Sequence, residues 1–226
     1  MWNNDNSLFK SEQTMTLRNQ LDLIENKDTL IFKKGQIIYF EGSSPQGIYL
    51  IEQGKVKVTK TSCSGKDFIT HIASKGDILS YGDLSLDTRH SCSGIAMEET
   101  IIYFIYKRDF QEALHNHPEL LEGFFQQLVN HIRELESKAC SIAYKPVRGR
   151  LAEALLYLAK KFNNSNKVTL SVTITRKDLA ELIGTARETV NRLLSEFRHD
   201  RYIKTEGLTI HIINTKALQK TSEMYG

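Results

Sequence analysis

The chain is poor in cysteine. Cys63, Cys92 and Cys140 are its only three, odd in number and widely separated. That spacing builds no disulfide framework and no paired-cysteine metal knuckle. An iron–sulfur cluster normally takes four cysteine ligands, so none is expected; free thiols in a reducing compartment fit better. Long apolar runs are missing too. The longest, Ile101 to Tyr106, is far too short to cross a bilayer. The N-terminal MWNNDNSLFKSEQ has neither the basic start nor the apolar stretch of a secretory signal. A cytoplasmic protein with no membrane partner is the expectation. The seven histidines are scattered, and the closest pair, His115 and His117, has a spacing that faces different ways on a helix. No metal site is expected. No Walker-type loop, HExxH pair, Ser/His/Asp order or clustered carboxylate pair is visible, so an enzyme is not expected either.

What is present is ordinary in amount and uneven in place. Hydrophobic residues make up 40% and charged residues 25% of 226, enough for two modest domains with real cores. Residues 1–144 carry 15 Lys and Arg against 19 Asp and Glu, a net of −4. Residues 145–226 carry 15 against 8, a net of +7. An acidic front and a basic back point to a C-terminal unit that binds a polyanion. Charge alone does not separate nucleic acid from an acidic membrane surface.

The rhythm of the chain divides it further. From Thr29 to Tyr106 short β-type runs (TLIF, QIIYF, GIYLI, KVKVT, DFITHI, TIIYFIY) alternate with glycine turns. Short strands at nearly even spacing imply a small antiparallel barrel or roll. Residues 7–27 before it read as weakly helical. Beyond Pro118, Leu121, Phe125, Leu128, Ile132, Leu135, Ala139 and Ile142 follow alternating spacings of four and three. This is a heptad seam of about three repeats. It suits a long helix that packs on its own roll, pairs with a second copy, or does both; a parallel homodimer is the expectation. Pro146 breaks the helix, because the residue before proline is pushed out of helical geometry. A fresh helix follows in RGRLAEALLYLAKKF, with Leu151, Leu155, Leu158 and Phe162 inward, then NNSN as a turn and KVTLSVTI as a strand. Two short helices and a hairpin turning at Glu206-Gly207 complete the order of a winged helix-turn-helix. The expected fold is therefore α+β, an N-terminal β-roll over 1–110, a dimerisation helix over 111–144, and a winged helix-turn-helix over 145–226.

The chemistry concentrates in TRKDLAELIGTARETVNRLLSEF, residues 175–197. In its second helix Ala186, Val190, Leu193, Leu194 and Phe197 recur at helical spacing and are expected to face the core. Gly184 permits the tight turn, and Thr185 with Glu188 reads as a T-x-x-E capping box. That leaves Arg187, Glu188, Asn191, Arg192 and Ser195 in solvent. A merely solvated helix needs only solubility there. Arginine can instead hold O6 and N7 of guanine bidentately, and a carboxylate can accept from the amino group of cytosine. Both kinds sit on the first turns of the second helix, where helix-turn-helix proteins touch bases. The candidate DNA-binding residues are Thr185, Arg187, Glu188, Asn191 and Arg192.

ITRKDLAELIGTARETVNRLL matches I-x-R-x-x-L/I-A-x-x-I/V-G-x-x-R-E-T-V-x-R-x-L and resembles the DNA-binding motif of the Crp/Fnr (catabolite activator protein) family of bacterial transcription regulators. FKKGQIIYFEGSSPQGIYLIEQGKVKV resembles that family's cyclic-nucleotide-binding-like β-roll, and VRGRLAEALLYLA the first helix of its DNA-binding domain. The resemblance implies a homodimer reading a two-fold symmetric site, with Arg187, Glu188 and Arg192 as its base-reading triad. Where the family often has a phosphate-touching serine, this chain has Ala186. Double-stranded DNA, a second copy and RNA polymerase are the expected partners. An alternative is a nucleotide-binding signalling module that docks on another protein, which leaves that triad unused.

In cyclic-nucleotide-binding members the roll holds a cassette resembling G-E-L followed by R-S or R-T; here the run is GDLSLDTRHS. The candidate effector pocket is Gly82, Asp83, Leu84, Arg89 and His90. Gly82 lets the backbone approach a ligand and Arg89 could pair with phosphate. Asp83 is one methylene shorter than the family glutamate, the segment to Arg89 is short, and His90 replaces a hydroxyl. Leu135-Glu136 stands where the family places Thr-Ser over adenine. The effector is left open and no strong cAMP response is expected.

Overall fold

The computed structural model describes residues 24, 26–81, 89–162 and 170–224. The expected N-terminal helix therefore lies almost wholly outside the described residues, as do Gly82, Asp83 and Leu84. The strands are β1 (Asp28–Phe32), β2 (Ile37–Tyr39), β3 (Gly47–Gln53), β4 (Lys55–Thr61), β5 (Asp67–Ser74), β6 (Ile78–Leu79), β7 (Ser93–Ala96) and β8 (Thr100–Tyr106). They form two four-stranded antiparallel sheets, ordered β1-β8-β3-β6 and β2-β7-β4-β5. Between the sheets Tyr39, Ile51, Val56, Val58, Ala73, Leu79 and Ile102 share one core. The outer side of the first sheet is covered as well, because Ile48, Leu50 and Ile105 pack with Phe110 and Leu120 of the following helices. A strand buried on both faces needs apolar residues throughout, which accounts for the unbroken TIIYFIY of β8. Two-residue β6 and four-residue β7 carry too little alternation to be read from sequence.

Helix α1 (Lys107–Asn116) leads into α2 (Pro118–Tyr144), whose 27 residues give a rod of about 40 Å. Proline at its first turn costs nothing, since that N–H has no intrahelical acceptor. One side of α2 faces its own chain: Phe124 meets Phe110 and Tyr81 edge to face, and His131 meets His71. Most of the heptad seam lies on the other side, although Leu135 and Ile142 also border a cavity against β5 and the C-terminal unit. Phe125 is 60% exposed and Ile132 53%, and Leu121, Leu135, Ala139 and Ile142 are also exposed, with Leu128 half-buried. So the apolar stripe is not absorbed by the chain itself.

Four further helices and three strands form the C-terminal unit. These are α3 (Val147–Phe162), β9 (Ser171–Thr173), α4 (Arg176–Ile183), α5 (Arg187–His199), β10 (Ile203–Glu206), β11 (Thr209–Ile212) and α6 (Thr215–Glu223). Only three residues of the expected KVTLSVTI strand are in β9; residues 163–169 lie outside the described set. The hairpin turns at Gly207-Leu208, with Glu206 opposite Thr209 and Gly207 at φ 58. Helix α6 was not legible, having one buried large apolar residue, Leu218.

The two halves share a core. Ile69 and Ile72 of β5 are fully buried with Leu155, Leu179, Leu182 and Val190 of the C-terminal unit. Residues three apart in a regular strand point to opposite faces. Here the register shifts between Val58 and Thr59, which pair with His71 and Ile69, so Thr70 is an extra bulged residue. The bulge lets both isoleucines contribute to the C-terminal core. It also turns two successive carbonyls, of Ile69 and Thr70, toward one donor: Lys138 Nζ of α2 binds them at 2.6 and 2.8 Å.

An ion-pair cluster lies beside this contact. Lys57 Nζ on β4 is 2.6 Å from Asp178 Oδ1 and 3.5 Å from Glu181 Oε2 on α4, with all three side chains 15% exposed or less. Burial pulls the Lys57 ammonium down, but the hydrogen bond and charge of Asp178, with Glu181, outweigh it and leave its pKa above the usual lysine value. That contribution to stability is full at neutral pH and is lost only as pH climbs through the raised lysine pKa. Lys57→Met strands the Asp178 carboxylate and leaves Glu181 only the exposed Lys177 at 3.5 Å, and we expect it to cost roughly 3 kcal/mol in urea unfolding. Adding Asp178→Asn and Glu181→Gln should recover most of that loss; a triple variant no more stable than Lys57→Met would place the cost elsewhere.

Candidate nucleic-acid interface

Helix α4 begins with Thr175, whose hydroxyl accepts from the Asp178 N–H at 3.0 Å, and ends on Gly184 in the left-handed region at φ 65. Thr185, half-buried, then closes the turn by donating its N–H to the Ala180 carbonyl. The expected capping box at Thr185 and Glu188 is not formed, because α5 starts one residue later. Its N-cap is Ala186, exposed rather than core-facing, and no side chain caps it. An uncapped first turn leaves N–H groups for another acceptor, and a DNA phosphate is a suitable one.

The rest of α5 divides as the spacing requires. Val190, Leu193, Leu194 and Phe197 are buried, while Arg187, Glu188, Asn191, Arg192 and Ser195 are exposed. Four of the five candidate residues therefore stand on one solvent-facing side, with Thr185 at its lip. Behind them Glu196 is shared: Arg192 Nη1 donates to it at 2.6 Å and Arg148 Nη1 of α3 at 2.5 Å. Arg148 also reaches Asp200 at 2.9 Å and lies over the Phe197 ring. The Arg192 side chain is 66% exposed, and such a pair is worth only about 0.3–0.5 kcal/mol. A bidentate arginine–guanine contact is worth about 1–3 kcal/mol, so Arg192 can leave Glu196 for a base while Arg148 keeps the helix braced.

Two features of this surface were not legible. Arg176 at the head of α4 donates Nη2 to the Gly207 carbonyl at 3.3 Å, tying the hairpin tip to the helix-turn-helix. The far end of α5 closes without glycine. Tyr202 N–H bonds to the Phe197 carbonyl at 2.8 Å and Arg201 N–H to that of Arg198 at 3.1 Å, while the Phe197 and Tyr202 rings meet at a tilt, 5.6 Å between centroids. This is a Schellman ending with Arg201 in the glycine position, at φ 60.

In the sensor half Arg89 is exposed and donates Nη1 to the Gly42 carbonyl at 2.8 Å. His90 is buried, with its ring 4.6 Å from that of Tyr39 and Nδ1 3.2 Å from Ser80 Oγ. The two residues thus occupy different environments. Among the described residues no helix is long and apolar enough to cross a membrane.

Comparisons with known proteins agree with this layout. Residues 29–117 match the cyclic nucleotide-binding domain and residues 149–221 the Crp-like helix-turn-helix domain. A CRP-like cAMP-activated global transcriptional regulator of Mycobacterium tuberculosis is 27% identical over 193 residues, covering 84% of this chain and 85% of its own. The anaerobic regulatory protein of Bacillus subtilis is 28% identical over 198 residues, covering 85% and 82%. Among solved structures, FixK2 of Bradyrhizobium japonicum superposes with a TM-score of 0.78 at 18% identity, covering 87% of this chain and 97% of its own. A CRP/FNR-family transcriptional regulator of Thermus thermophilus gives 0.74 at 22% identity, covering 88% and 100%. At those identities the structures speak to fold.

The left-handed Arg201 supplies a test of the α5 ending. An L side chain there costs about 1–2 kcal/mol, partly offset by the extra chain entropy of glycine when unfolded. Arg201→Gly should therefore raise stability by about 0.5–1 kcal/mol in thermal or urea unfolding. A loss of stability would show that the arginine side chain holds more than its backbone costs.

Proposed function

Since the chain belongs to the Crp/Fnr family of transcription regulators, we propose that it binds DNA as a homodimer, inserting α5 of each copy into the major groove of a two-fold symmetric operator. The observation that carries this reading is the sided α5 helix. Its inner face is locked by Val190, Leu193, Leu194 and Phe197, and its outer face offers Arg187, Glu188, Asn191 and Arg192 unobstructed. Arg187 and Arg192 supply donor forks for guanine, and Glu188 an acceptor for cytosine. The uncapped helix start, with Thr185 beside it, faces the phosphates that set the register.

Pairing is assigned to α2. Leu121, Phe125, Leu128, Ile132, Leu135, Ala139 and Ile142 form the apolar stripe that a second copy would cover. In this reading 1–110 senses, 111–144 dimerises and 145–226 binds DNA, in the cytoplasm, with RNA polymerase as the partner through which transcription changes. No effector is assigned. The Mycobacterium relative is named as cAMP-activated. Here Arg89 is bonded to Gly42 and His90 is packed on Tyr39, and neither contact favours a cyclic phosphate.

Arg187→Ala and Glu188→Ala should each relax preference at defined base pairs, at about 1–3 kcal/mol per position. Selection of operators from a random DNA pool checks this; unchanged base preference in both variants sinks the assignment of the reading face.

The seam is tested separately. Ile132 is exposed in the protomer, so Ile132→Glu should change protomer stability by no more than about 0.5 kcal/mol. Leu128→Glu or Ile132→Glu would bury charge in the paired seam. Dimer mass in sedimentation, and operator affinity with it, should fall. Dimers that survive both changes would put the interface elsewhere.

A further inference from the structure

A cavity of about 330 Å³ opens where β5, α2, α3 and α4 meet. Neither Arg89 nor His90 lines it, while Leu135 and Ile142 of the apolar stripe on α2 do. We propose that this cavity binds a compact apolar monocarboxylate, held by Lys138 and Arg150.

The size suits a small ring or short branched chain, at the lower end of ligand pockets. Its walls are chiefly apolar or aromatic, among them Leu182, Ile183, Ala154 and Tyr157. His71 is a neutral wall as well. Burial, then the charges of His131, Lys161 and Lys138, push its pKa down to about 3.

The charge is what selects an acid. Lys138 is held by the Ile69 and Thr70 carbonyls and lies over the Phe68 ring. An ammonium has three N–H donors, so one is left after those carbonyls. Among the described residues no carboxylate stands within ion-pair distance of it, and burial lowers its pKa to about 8. Arg150 spends Nη1 on the Ile142 carbonyl, and its buried Nε has no partner among the described residues. Of the carboxylates in the wall, Glu153 is already taken by Ser141 Oγ at 2.5 Å and Lys145 Nζ at 3.0 Å. Glu134 and Arg133 line the cavity too. Lys138 and Arg150 therefore each keep a donor with no carboxylate paired to it among the described residues, which suits the two oxygens of one carboxylate.

The walls come from the roll, the long helix and the DNA-binding unit together. An occupant therefore prefers the arrangement in which all three are packed, and biases the molecule toward it. The inference does not rest on DNA binding.

The test uses the full chain with benzoate and cyclohexanecarboxylate as probes and benzamide as the uncharged control, read by thermal unfolding and calorimetry. At about five times Kd the acids should raise Tm by about 2–4 °C and benzamide should not. Lys138→Met should remove the preference for acid over amide. Ala154→Phe, which fills the cavity and leaves Lys138 in place, should abolish binding even if Lys138→Met fails to fold. Absence of any shift with both acids, an equal shift with benzamide, or acid binding that persists in Ala154→Phe would overturn the proposal.

Discussion

The contact on which the rest of the molecule depends is the Lys138 ammonium on the bulge of β5. Successive carbonyls of a regular strand point opposite ways, so one donor reaches both Ile69 and Thr70 only because the strand is irregular there. The same irregularity turns Ile69 and Ile72 into the C-terminal core. A single extra residue thus joins the three parts of the chain: the roll supplies the bulge, α2 supplies the lysine, and the DNA-binding unit packs on the isoleucines.

This junction gives the reading helix a defined place relative to the helix that carries the seam. The core fixes α4 by burial, and the Lys57 cluster adds direction, since its carboxylates sit on successive turns of α4. Helix α5 follows α4 through a turn that glycine holds in the left-handed region. Two copies joined along α2 would then hold two α5 helices at one separation, which is the geometric requirement for reading a palindromic site. The residues proposed to read bases need no adjustment of the fold to be available; in that reading Arg192 has only to exchange one weak exposed pair for a base.

Much of this was legible because it depends on periodicity. The spacing of Val190, Leu193, Leu194 and Phe197 fixed which side of α5 is buried, and therefore which side is free. The strand runs of the roll and the turn at Gly207 were legible for the same reason. The features that escaped have no local pattern. Lys57 and Asp178 are 121 residues apart, so nothing in either neighbourhood announces the pair. The bulge at Thr70 and the left-handed Arg201 occur without the glycine that normally marks such backbone. Ala186 fits the apolar spacing of α5, yet it sits where the chain has not entered the helix, so it faces solvent. In each case tertiary packing overrode the local signal.

The bulged strand has another bearing, on colloidal behaviour. β5 is the last strand of its sheet, and a sheet edge is a template on which a second chain can add. Here the edge is guarded by Lys138 on two of its carbonyls and by the DNA-binding unit packed over Ile69 and Ile72. The module that reads DNA is thus also a shield against misassembly. Any excursion that lifts it away exposes a partly apolar edge, so the range of its movement is limited by solubility as well as by signalling.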